Sequence, residues 1–80
     1  MSDTSQRLSL FQTKIRDCIE AIERLSEGTG FILQEDLVKE LGFRHNTILD
    51  HRAKGTLYSE TLPSGDIWVS VASLRKYAGI

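Results

Sequence analysis

The sequence predicts a mainly α-helical fold that carries one small β-hairpin. Three observations predict it. Apolar residues recur at gaps of three and four from Leu8 to Leu25, the period of a helix packed along one stripe. Gly28, Gly42 and Gly55 then divide the chain into short segments, two of them with helical spacing. Finally, Pro63-Ser64-Gly65-Asp66 separates two runs of β-type composition, the mark of a hairpin turn.

The first helix is expected from Gln6 to about Glu27. Leu8, Ile15 and Ile22 repeat at one heptad position and Phe11, Cys18 and Leu25 at the other, while Leu10 and Ile19 widen the stripe. Such a seam reads as a dimer interface between two copies, or as a stripe packed on the rest of its own chain. Gly28-Thr29-Gly30 ends this helix. Phe31-Ile32-Leu33 reads as a brief extended stretch. From Gln34 to Leu41 a second helix puts Leu37, Val38 and Leu41 on one face, with Glu35 and Asp36 at its electropositive N-terminal end. Gly42 stops it. A third helix starts at Arg44 or His45, runs to Ala53 or Lys54, and closes at Gly55. Strands over Leu57–Leu62 and Ile67–Val69 make the hairpin, and Ser70 caps a last helix over Val71–Ala78. Trp68 opposes Ile67 and Val69 by strand alternation, so one hairpin face shows apolar surface that a protein partner could use. Residues 1–30 thus form a helical arm and residues 31–80 a second unit.

Composition excludes several function classes. At 80 residues the chain buries only about two-thirds of its unfolded surface, which leaves little room for a separate catalytic cleft. Cys18 is the single cysteine and sits in the apolar seam, so it reads as a small buried hydrophobe. His45 and His51 are six apart, not at the helical spacing of a metal pair. No nucleophile–base pair, phosphate loop or metal cluster is present, so no enzyme, cofactor or metal is expected. No apolar run reaches the roughly 20 residues that cross a bilayer, and the N-terminus lacks a signal-peptide core, so a cytoplasmic location is expected.

The net charge of −1 hides a split. Residues 1–40 carry five basic against eight acidic side chains, a net −3; residues 41–80 carry five against three, a net +2. Both histidines fall in the basic half. Screening confines attraction to about 8–10 Å, so the local excess matters more than the sum.

The segment from Leu37 to Ile48 has the layout of a helix-turn-helix. Two short helices meet over a turn at Gly42, with Leu37, Val38 and Leu41 packing the first and Phe43 and Ile48 anchoring the second. Arg44, His45 and Asn46 then stand at the start of the second helix, residue types suited to phosphates and base edges. Gly42, Thr47, Ile48, Gly55 and Leu57, followed by the hairpin and the Val71–Tyr77 helix, resemble the winged helix-turn-helix of the MerR and phage-excisionase superfamily. The resemblance covers roughly Phe31 to Ala78. It implies a winged helix-turn-helix preceded by a long amphipathic helix, with Arg44, His45, Asn46 and Thr47 facing the major groove and Arg52 and Lys54 toward the DNA backbone. Three positions depart from the family pattern. Asp50 stands where a basic residue is common, His51 replaces a Trp or Tyr, and the wing from Tyr58 to Asp66 has no Lys or Arg. The resemblance implies a transcription regulator or excisionase-like architectural factor that binds double-stranded DNA without catalysis. A homodimer is expected, because one subunit with so few cations neutralises few phosphates. The alternative from another class is a winged-helix module that docks a protein partner through its apolar faces.

Overall fold

The computed structural model describes residues 9–80. Its order is α1 (Leu10–Ser26), β1 (Phe31–Leu33), α2 (Gln34–Lys39), α3 (His45–Lys54), β2 (Ser59–Thr61), β3 (Ile67–Ser70) and α4 (Val71–Ala78). The molecule is a mainly helical small domain with a three-stranded antiparallel sheet, and α1 packs against α4.

Local chemistry sets the ends of α1. Ser9 is extended, its hydroxyl accepts from the Gln12 amide at 3.0 Å, and the Gln12 side chain accepts from the Ser9 amide at 2.9 Å. This reciprocal box satisfies two donors that a helix start leaves open. The helix therefore begins at Leu10, past the Gln6 start that periodicity suggested. Leu10 is 90% exposed and does not widen the stripe. At the other end Glu27 is the left-handed C-cap, with φ at 54°, and Gly28 follows it at φ 76°.

The seam lies inside the chain's own fold. Phe11, Ile15 and Ile22 are buried in one core with Ile32, Leu37, Ile48, Val69 and Leu74, and Cys18, Ile19 and Leu25 pack against it. Leu8 lies outside the described residues. Of the residues expected between two copies, Phe11, Ile15 and Ile22 are thus covered by their own chain, because α4 and the sheet supply the apolar surface that a heptad stripe needs. Polar ties hold this packing. Arg16 Nε donates to the Ala78 carbonyl at 2.7 Å, closing the C-terminal end of α4, and Gln12 Nε2 donates to the Tyr77 carbonyl at 3.0 Å. Arg75 pairs with Glu23 at 2.8 Å. A single core therefore spans the arm and the rest of the chain, across the division expected at residue 30.

The brief extended stretch is a strand of the sheet. β1 pairs antiparallel with β3, Ile32 opposite Val69, and β3 pairs with β2, Glu60 opposite Trp68, giving the order β1-β3-β2. Ile32 and Val69, both fully buried, turn one face inward. By alternation Phe31, Leu33, Tyr58 and Trp68 line the other face, where Phe31, Leu33 and Trp68 are half-buried and Tyr58 is 55% exposed. The hairpin closes through a three-residue loop. The Gly65 amide donates to the Leu62 carbonyl and the Leu62 amide to the Asp66 carbonyl, both at 2.8 Å, with Gly65 at φ 94°. Only a glycine adopts that angle without strain, as the turn residues predict.

Candidate nucleic-acid interface

The start of α3 is built by the turn before it. Beyond α2 the Gly42 amide donates to the Val38 carbonyl at 3.2 Å and the Phe43 amide to the Leu37 carbonyl at 2.9 Å. Gly42 carries a φ of 74°, which lets the chain reverse within these few residues. Phe43 is buried, and Arg44 is the extended N-cap of α3 with no side-chain capping bond. Only Ile48 of α3 is fully buried, so most of this helix faces outward.

Arg44, His45 and Asn46 are exposed together at this end, and Thr47 is half-buried beside them. The uncapped first turn offers backbone N–H groups and the positive end of the helix dipole, a favourable seat for an anion. Leu49, 39% exposed, and Asp50 continue the outward face.

Two of the predicted backbone ligands are engaged elsewhere. Arg52 Nε donates to Ser59 Oγ and its Nη1 to Gln34 Oε1, both at 2.9 Å. It ties α3 to β2 and to the start of α2, and Gln34 is buried. Lys54 pairs with Asp50 at 2.9 Å, one helical turn apart on α3. That carboxylate raises the ammonium's pKa, chiefly through their hydrogen bond. Asp50 thus neutralises the cation one turn after it.

His51 is a packing residue. Its ring stacks on Phe11 at 4.5 Å between centroids and lies 4.8 Å from Tyr77, joining α3 to α1 and α4. Its Nδ1 is shielded and has no hydrogen-bond partner among the described residues. Burial lowers its pKa from the usual 6.5, Lys54 adds to that, and Asp50 opposes it. The folded state thus prefers neutral His51. The stability this gives is full above the unfolded value near 6.5 and is lost as pH falls from there through the lower folded value. The melting temperature is expected to fall between pH 7.5 and 5.5, and His51→Phe, which keeps the stack without a titrating group, is expected to flatten that fall. An equal fall in both proteins would remove His51 as its cause.

Two grooves flank the start of α3. One, of about 390 Å³, lies between α2 and the hairpin loop, and carries Glu35, Lys39, His45 and Asp66. Lys39 in it is bonded to Glu35 at 2.6 Å. The other, of about 300 Å³, lies between α3 and the first turns of α1; Phe11 and Phe43 belong to its wall, with Ser9, Lys14, Arg44 and Thr47. Lys14 Nζ stands 5.3 Å from the centre of the Phe43 ring. Its place beside Arg44 is not visible in the sequence, where it reads as one more polar residue of the arm. Only its position three residues after Phe11 puts it on the flank of the buried stripe. Among the described residues no three His, Cys, Asp or Glu side chains are placed to hold a metal ion, and no helix is long and apolar enough to cross a membrane. No protein-family model, no curated protein and no solved structure matches this chain.

Proposed function

We propose that this chain is a small winged helix-turn-helix protein that binds double-stranded DNA without catalysis, with the N-terminal half of α3 as its reading surface. The observation that carries the reading is the joint exposure of Arg44, His45 and Asn46 at an uncapped helix start. Arg pairs well with guanine and Asn with adenine in the major groove, and the first-turn amides suit a phosphate. In this reading α2 and α3 are the two helices, and the β2–β3 hairpin is the wing. The role is that of a transcription regulator or an architectural factor. Arg52 fixes the wing against α3, and the wing loop, with Asp66 and no cation, stays off the backbone.

Duplex binding measured by fluorescence anisotropy tests this. Affinity is expected to drop steeply with salt, and Arg44→Ala to weaken binding roughly five- to tenfold at about 0.1 M salt, the worth of one phosphate contact. No binding to any duplex at low salt would sink the proposal.

The outward sheet face favours a second reading. Phe31, Leu33, Tyr58 and Trp68 share this face with Glu60, with the Phe31 and Tyr58 rings 6.4 Å apart. A module that docks a protein there would need neither Arg44 nor Asn46.

A further inference from the structure

We propose that α1 supplies a second DNA contact, a clamp on the sugar–phosphate backbone in the groove between α1 and α3. It rests on the DNA-binding reading above and adds to it a site outside the helix-turn-helix. The two grooves beside the start of α3 differ in charge. The α2–hairpin groove holds the carboxylates of Glu35 and Asp66, and its Lys39 is already neutralised by Glu35. A phosphate entering there meets net repulsion. Among the described residues the α1–α3 groove has no carboxylate in its lining, and it has two cations, Lys14 and Arg44. Neither is within salt-bridge distance of a carboxylate among the described residues.

The chemistry of this groove matches one occupant. Lys14 and Arg44 complement phosphate oxygens, the Ser9 and Thr47 hydroxyls can donate to them, and the exposed Leu10 suits the apolar side of a deoxyribose. The groove is also continuous with the α3 surface, since Arg44 and Thr47 belong to both. Its position is fixed from below. Phe11 contacts Phe43 edge-on at 5.8 Å and stacks on His51, so the first turns of α1 are held against α3 by buried rings. Lys14 is carried over the α2–α3 turn, where a methyl group placed on Gly42 would lie 3.7 Å from Nζ. The duplex therefore lies toward α1 and away from the hairpin loop. The cation that the wing lacks is supplied by α1 of the same chain.

The test compares the wild type, Lys14→Gln and Lys14→Arg on two duplexes of unrelated sequence across a salt series. Gln keeps the helix propensity of Lys, and a circular-dichroism melt confirms folding. Lys14→Gln is expected to reduce the slope of log K against log salt by about 0.9 and to weaken binding five- to tenfold at about 0.1 M salt, equally on both duplexes. Lys14→Arg is expected to restore both. A Lys14→Gln protein with the wild-type slope, while Arg44→Ala still loses affinity, overturns the clamp and leaves the α3 reading standing. A wild type that binds neither duplex at low salt overturns both.

Discussion

Ile15→Asp is expected to abolish cooperative folding. Ile15 is fully buried in the core, with α1 laid against α4. A carboxylate there is cut off from solvent, and single changes of this kind cost about 4–5 kcal/mol or more. A domain of this size holds on the order of 4–12 kcal/mol in total. Ile15→Val, which only removes a methylene, should cost about 1 kcal/mol and leave the fold intact. Thermal melts followed by circular dichroism, with sedimentation of each protein, separate the two roles of the seam. A loss of the melting transition in Ile15→Asp fits burial within one chain. A well-folded Ile15→Asp protein that differs from the wild type only by halving its mass would place the seam between copies instead.

Arg52→Ala is expected to destabilise the protein by about 2–3 kcal/mol without changing the salt dependence of DNA binding. Arg52 is held by two neutral acceptors on different elements, Ser59 on β2 and Gln34 at the start of α2. Truncation leaves the buried Gln34 oxygen without its charged donor, and hydrogen bonds to charged groups contribute about 1.5–3 kcal/mol. For a domain of this length that corresponds to a fall in melting temperature of roughly 10 °C or more. Lys reaches one of the acceptors but lacks the fork that spans both, so Arg52→Lys should recover only part of the loss. If Arg52→Ala melted like the wild type but lost one phosphate contact from its salt slope, the side chain would be a DNA ligand, as the family resemblance implies.

These two residues show where sequence reasoning reaches and where it stops. Features that depend on a few adjacent residues were legible. Gly55 closes α3, Ser70 caps α4 with its hydroxyl accepting from the Ser73 amide, and Pro63 to Asp66 form the hairpin loop. Each is a local arrangement of backbone groups, so the residue types alone specify it. The heptad pattern likewise told that one side of α1 is buried. It could not tell what covers that side, because a coiled-coil partner and α4 present the same apolar chemistry. Phe31–Leu33 is too short to show a strand period, and its pairing with β3 depends on a residue far along the chain. At the candidate site, Arg44, His45 and Asn46 stand exposed at the start of α3. The engagement of Arg52 and the place of Lys14 were not legible, since the bonds of Arg52 and the neighbourhood of Lys14 are made only when distant segments meet. Lys54 differs: its acid lies four residues earlier, a spacing that the sequence does contain.

The most direct measurement of the central claim is a duplex titration of isotope-labelled protein followed by amide chemical shifts at low salt. The predicted result is a set of changes centred on Arg44 to Thr47 and extending to Ser9 through Lys14, with the amides of Phe31, Tyr58 and Trp68 unmoved. Changes centred on that sheet face, or none at any residue, would contradict it.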